Sequence, residues 1–212
     1  MMGILQELKS IEPEDITSLL HVEDQCWRML ENGVANRRSP MHQAVIATIQ
    51  EGIPVMRTVV LRRVETVAKA LYLHTDIRSK KMQELHDNPS LSWLLYDPSM
   101  RSQIRLAGNV IIHHQDECAA AHWQKTGHHS RRYYMTGQGP SLEVMSPETG
   151  LDERLTAFDY TLEESEKGFD HFVVVESRIH WMEWYFTHSS GNRRASFRYA
   201  DGVLKGSTWL TP

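Results

Sequence analysis

A change of hydrophobic period near Gln43 constrains this chain more than any other feature of its sequence. Before that point apolar residues recur at three and four: Ile4, Leu5 and Leu8, then Ile16, Leu19 and Leu20, then Trp27 and Leu30. That spacing predicts amphipathic helices, with Pro13 at a first helical position and Asn32-Gly33 closing the second. From Gln43 the period is two, with Ala44, Ile46 and Thr48 alternating against Val45, Ala47 and Ile49. A strand has its side chains on alternating faces, so this pattern predicts a strand packed on both sides.

The same reading continues down the chain. Gly52-Ile53-Pro54 is expected to turn, and a strand over 55–64 to follow, with Val55, Arg57, Val59 and Leu61 on one face and Met56, Thr58, Val60 and Arg62 on the other. Further strands are expected over 71–75, 91–96 and 103–112, two more within 171–186, and one over 203–210 behind the Asp201-Gly202 hairpin turn. Helices are expected near 76–86, where Ser79 is a candidate cap and Asn88-Pro89 a stop, and over 116–124. Thr136 to Asp152, rich in Gly, Pro and Ser, reads as an ordered loop. The fold class is therefore mainly β and antiparallel, a small barrel of roughly seven or eight strands with added α-helices. The 212 residues are expected to form a single domain, with N-terminal helices and a linker over 1–40 and the barrel over 43–212.

Composition removes several function classes. A formal charge of −4 argues against a general nucleic-acid binder. No apolar run reaches the ~18–20 residues of a bilayer crossing, and Met1 to Ser10, with Glu7, does not read as a secretory signal. Two cysteines, Cys26 and Cys118, are too few for a disulfide scaffold and fit a reducing, cytoplasmic setting. The histidines around His113-His114, His122 and His128-His129 lack the paired tight spacing of a structural zinc site, so no metal is expected.

Candidate chemistry begins with charge. Arg57 stands on the apolar face of its strand, and Gln103 and Arg105 share one face of another. Ser79-Lys80-Lys81 opens a helix directly after a strand that ends in His74-Thr75. A helix start presents free amide donors and a partial positive charge, to which lysines add full charges, so such an end suits a phosphate. Trp181 and Trp184, three apart on a strand, must face opposite sides.

Taken in order, Arg57-Thr58-Val59-Val60-Leu61-Arg62, His74-Thr75, Ser79-Lys80-Lys81, Asn88-Pro89 and Gln103-Ile104-Arg105-Leu106-Ala107-Gly108 resemble the pyridoxamine 5′-phosphate oxidase family. That family has an R-x-V-L-L-[KR] strand, a hydrophobic-Thr pair, an S-R-K helix start and an R-Q-V-R-x-x-G strand. The resemblance covers roughly residues 43–123 and implies the FMN-binding split barrel. It implies that Arg57 through Arg62 line flavin mononucleotide, and that Thr75, Ser79, Lys80 and Lys81, next to His74, hold its phosphate and ribityl chain. It further implies that Gln103 meets the ring system across a homodimer interface, with Arg105 nearby and Gln138 as a later contact. A late tryptophan also meets flavin in the family, and Trp184 is the better match, with Trp181 its rival.

The departures bear on the reaction. The family's oxidases carry a late Arg-x-His motif for the substrate, where this chain reads Ser189-Ser190-Gly191-Asn192-Arg193-Arg194-Ala195-Ser196-Phe197. Lys80 replaces the usual arginine, keeping charge but losing a bidentate fork. The resemblance thus implies an FMN-binding oxidoreductase whose flavin accepts hydride from a small molecule the sequence does not specify. The alternative on the same barrel is a carrier or sensor of flavin, or of haem, without turnover.

Overall fold

The computed structural model describes residues 12–212. The helix expected around Ile4, Leu5 and Leu8, and the Met1–Ser10 segment, lie outside the described residues. Pro13 opens a short 3-10 turn, Pro13–Asp15. Helix α1 (Leu19–Ala35) follows, with Ser18 at its N-cap accepting from the His21 amide. Asn32-Gly33 does not end this helix, as the sequence had suggested. Gly33 is buried within it, and a Cβ there would lie 2.5 Å from the Met41 carbonyl oxygen, so its role is close backbone approach.

Strands β1 (Gln43–Gln50) and β2 (Ile53–Val60) form an antiparallel hairpin running from Gln43 opposite Val60 to Gln50 opposite Ile53. The turn is Glu51-Gly52, both at positive φ (51° and 80°), rather than Gly52-Ile53-Pro54; Ile53 and Pro54 already belong to β2. Proline is tolerated there because β2 ends the sheet path and needs no amide on its outer side.

The strand expected over 55–64 is two strands. β2 stops at Val60, and β3 (Arg63–Glu65) pairs with β4 (Ala70–Asp76) instead of β1. Between them the Leu61 amide donates to His42 O at 3.0 Å and the Arg62 amide to Tyr72 O at 2.9 Å. The chain therefore changes hydrogen-bonding partner within two residues.

Helix α2 (Lys80–Asp87) leads through Asn88 and Pro89 into β5 (Ser90–Asp97) and β6 (Ser102–His114), which pair antiparallel. Asp116 caps helix α3 (Glu117–Gln124), accepting from the Ala119 amide at 2.8 Å. β7 (Phe172–Phe186) is one long strand where the sequence had suggested two, because 172–186 contains no glycine, proline or asparagine to break it. β8 (Arg193–Ala200), which sequence reading leaves unassigned, and β9 (Val203–Leu210) flank Asp201-Gly202; these two residues have φ of 51° and 74°, the left-handed pair of a two-residue hairpin.

Among the described residues the sheet has nine strands in the path β2-β1-β5-β6-β7-β4-β3, with β8 on β7 and β9 on β8. The pairings given residue by residue are all antiparallel, and the path is open, as in a split barrel.

The described residues pack as two compact units, one of residues 12–73, 90–110 and 177–212, the other of 74–89 and 111–176. In the first, Leu30, Ile46, Trp93, Ile104, Phe186 and Phe197 are buried, and the polar ends of core aromatics are satisfied: Trp93 Nε1 donates to Ser177 Oγ and Trp27 Nε1 to the Tyr199 hydroxyl. Burial pushes the Cys26 thiol and the Tyr199 hydroxyl well above their ordinary ranges. In the second unit Leu85, Trp123, Tyr160 and Phe172 are buried, as is Arg131, whose guanidinium lies over Trp123 and donates to Trp123 O, Thr126 O and Ser165 Oγ.

Candidate functional site

In the second unit the end of β4 and the start of α2 form a compact polar cluster. Lys81 Nζ lies 2.8 Å from Thr75 Oγ1 and 3.1 Å from Ser79 Oγ, and the two hydroxyls are 3.2 Å apart. Thr75 and Ser79 are buried, whereas Lys80 is exposed. Ser79 stands at the N-cap position, but its hydroxyl makes no cap hydrogen bond, contrary to the role suggested by sequence. It is turned to the lysine instead and does not cap the first turn. An ammonium, two hydroxyls and a helix start at one point form a donor set suited to a phosphate.

The turn that builds this cluster is held by residues the sequence reading did not single out. Asp76 accepts from the Arg78 amide at 2.8 Å, and its carboxylate pairs with the Arg78 guanidinium at 2.7 and 2.9 Å. Arg78 also donates to Thr136 O at 2.7 Å and Thr136 Oγ1 at 3.1 Å. The loop carrying Gln138 is thereby fastened beside the helix start. A Cβ on Gly139 would lie 2.6 Å from Arg78 Cβ, so the loop needs glycine there. The signal available in sequence was the acid–base pair in Asp76-Ile77-Arg78. Gln138 itself is exposed.

His74 is not brought to this cluster. Strand alternation turns it away from Thr75; its Nε2 lies 2.8 Å from His122 Nδ1, and its ring is 4.7 Å from that of Phe172. Among the other histidines, His113 bridges Asp116 at 2.7 Å and Glu176 at 3.0 Å, and His114 meets Asp170 O. Among the described residues no group of three or more His, Cys, Asp or Glu side chains is placed to hold a metal ion.

In the first unit the register gives β2 the two faces read from sequence. Arg57 lies opposite Ile46 and donates to Thr48 Oγ1 on the buried side, with Val59 opposite Ala44, and Leu61 is buried. Thr58 lies opposite Val45 and Val60 opposite Gln43 on the other side, and Arg62 is exposed. That second face continues through β5 and β6, where Leu94 is opposite Arg105 and Tyr96 opposite Gln103. It is an open apolar surface: Met56, Leu94 and Tyr96 are exposed by 70%, 39% and 50%.

Arg105 donates to Glu183 Oε1 at 3.1 Å and lies over the Trp181 ring, while Arg194 donates to both Glu183 oxygens at 3.0 Å. One buried carboxylate thus holds two guanidinium groups on the face that carries Gln103. Trp181 is on this face. Trp184, as the spacing required, is on the opposite one: it is 4% exposed, and its indole N–H donates to Ser102 Oγ. Gly108, the last residue of the Gln103–Gly108 motif, admits the Arg178 carbonyl oxygen, which a Cβ would meet at 2.5 Å.

Residues 24–114 match the model of the family described as pyridoxamine 5′-phosphate oxidase, FMN-binding domain. That segment, less than half of the chain, is similar to the FMN-binding domain of the pyridoxamine 5′-phosphate oxidase family. The chain is 30% identical over 104 residues to a pyridoxine/pyridoxamine 5′-phosphate oxidase of Leptospira interrogans, a match covering 49% of this chain and 47% of that one. It is also 30% identical over 118 residues to one of Psychrobacter arcticus, covering 50% and 53%. The matches thus span about half the length of these curated relatives. Among solved structures, a pyridoxamine 5′-phosphate oxidase-related, FMN-binding protein of Nostoc punctiforme aligns with TM-score 0.63 and 18% identity, over 96% of this chain and 100% of that one. PhzG of Burkholderia lata, in complex with tetrahydrophenazine-1-carboxylic acid, aligns with TM-score 0.68 and 19% identity, over 95% and 98%. These two show a shared fold. The family segment contains Arg57 through Arg62, Thr75 through Lys81, Gln103 and Arg105; Gln138 and Trp184 lie beyond it.

Proposed function

We propose that this chain binds flavin mononucleotide and acts as an FMN-dependent oxidoreductase on a small molecule. The observation that carries the reading is the Lys81–Thr75–Ser79 cluster at the start of α2, within the segment that matches an FMN-binding domain. Its donors fit a phosphate monoester: a charged ammonium, hydroxyls and a helix start, with Lys80 exposed beside them. In this reading the β2 segment Arg57 through Arg62, with Gln103, serves the ring system, and Gln138 lies on the loop fastened by Arg78. When bound, the flavin supplies a hydride acceptor; the protein supplies position and charge. Arg62 and Arg105 are the cations for the ring end, and Glu183 fixes the direction of Arg105. Because Trp184 is buried while Trp181 is half-buried on the face that carries Gln103, we assign the aromatic contact to Trp181, the rival.

The proposal includes a homodimer. Met56, Leu94 and Tyr96 form an exposed apolar sheet face that also carries Gln103 and Arg105, and a second copy on that face would bring Gln103 to a partner's flavin. Among the described residues no helix is long and apolar enough to cross a membrane, and neither Cys26 nor Cys118 is in a disulfide. We propose a reducing, cytoplasmic setting because two cysteines are too few for a disulfide scaffold.

Purified protein should be yellow, or take up added FMN with a flavin absorbance spectrum. Anaerobic mixing with pyridoxamine phosphate, pyridoxine phosphate and reduced nicotinamides should then bleach the flavin with at least one donor. A protein that takes up no flavin overturns the reading, and flavin that no donor bleaches leaves the carrier in place of the enzyme.

A further inference from the structure

Between the first turn of the chain and the sheet, wholly within the first unit, lies a cavity of about 230 Å³. Its deep walls are Ile16, Val22, Met29 and Trp184, all buried. Asp15, Thr17, Ser18 and His21 stand at its exposed mouth. Among these apolar walls α1 inserts one polar side chain, Gln25, which is 5% exposed and whose carbonyl oxygen has no hydrogen-bond partner. A buried carboxamide left unpaired is costly, and a water is a poor remedy here because it needs two to four polar partners, whereas the deep walls offer one. A ligand with an apolar body and its own amide-like group satisfies both requirements at once. An apolar cavity of about 150 Å³ is enough to hold benzene, so this one has room for a substituted ring.

We propose that this cavity is a small-molecule site, independent of the flavin grip, for an uncharged aromatic ring bearing an N–H donor beside a carbonyl acceptor. The carboxamide of Gln25 offers the complementary acceptor and donors, and Trp184 supplies an aromatic wall. Anions are disfavoured, because the deep walls hold no cation and Asp15 stands at the mouth. The test is calorimetric titration of the full chain with benzamide, beside N,N-dimethylbenzamide and benzoate. Benzamide should bind saturably, and the other two at least roughly tenfold more weakly. Gln25→Met, which keeps the length and removes the carboxamide, should weaken benzamide by a similar factor, and Val22→Trp should abolish binding by filling the space. No saturable benzamide binding to the wild type overturns the proposal, as does equal affinity in Gln25→Met. Should either variant fail to fold, the wild-type series decides alone: equal affinity for benzamide and its dimethyl analogue overturns it.

Discussion

Lys81 and Thr75, six residues apart across a strand end and a helix start, are joined by a 2.8 Å contact from ammonium to hydroxyl. The contact aligns a full charge with a buried hydroxyl before any ligand arrives, so little ordering is left for phosphate binding to supply. Lys81→Ala should therefore raise the FMN dissociation constant by roughly 10- to 100-fold, since a hydrogen bond to a charged group contributes about 1.5–3 kcal/mol. Thr75→Val should act in the same direction with a smaller effect, because it removes a neutral partner. Fluorescence titration measures both; unchanged affinity in Lys81→Ala would mean the cluster is a solvated helix end.

Oligomeric state tests the open sheet face. Met56 and Leu94 are exposed, so Met56→Glu and Leu94→Glu should leave the monomer fold within about 0.5 kcal/mol of wild type. A charge inside an apolar interface is costly, and each variant should run at half the wild-type mass in light scattering and lose flavin on dilution. A wild type that is monomeric while fully loaded with flavin would contradict the assignment of Gln103 to a partner's ring.

Much of this architecture was legible because alternation is a strong signal. Arg57 and Thr58 fell on the faces that sequence assigned, since a strand cannot turn one residue without turning its neighbours. The switch at Leu61-Arg62 was not legible: residues on both sides are equally suited to strands, and only the hydrogen-bond partner changes. Gly33 misled for a different reason, because a glycine after asparagine has the same signature whether it ends a helix or admits a neighbouring backbone. At the candidate site, a strand end followed by a helix start, with the family resemblance, singled out Thr75, Ser79 and Lys81, but strand phase decided that His74 faces elsewhere, and the Asp76–Arg78 pair stands out only once the Arg78 bonds to Thr136 are seen.

Gly33→Ala opposes two effects of known size. Alanine favours a helix interior over glycine by about 1 kcal/mol, but its Cβ would sit 2.5 Å from a backbone oxygen that cannot swing aside. Overpacking of this kind costs roughly 1–3 kcal/mol, so the clash wins and the melting temperature should fall. Thermal denaturation followed by circular dichroism checks the sign; a stabilised variant would mean that Met41 moves freely.

Acid sensitivity should concentrate at Asp116. Burial acts to raise its carboxyl, but the Ala119 amide, His113 and the Cys118 amide outweigh it and hold the group below the usual range. A carboxyl depressed on folding contributes stability that is fully present above the unfolded value, about 3.9, and is lost as pH falls through the lower folded value. Asp116→Asn keeps a competent helix cap, so its stability near neutral pH should change little, by well under the 0.5–2 kcal/mol typical of losing a cap. Its melting temperature should then fall less than that of the wild type as the pH is lowered below the unfolded value, because only the wild type loses this contribution as its native carboxylate takes up a proton. Parallel acid limbs for the two proteins would show that the α3 cap carries no share of the acid response.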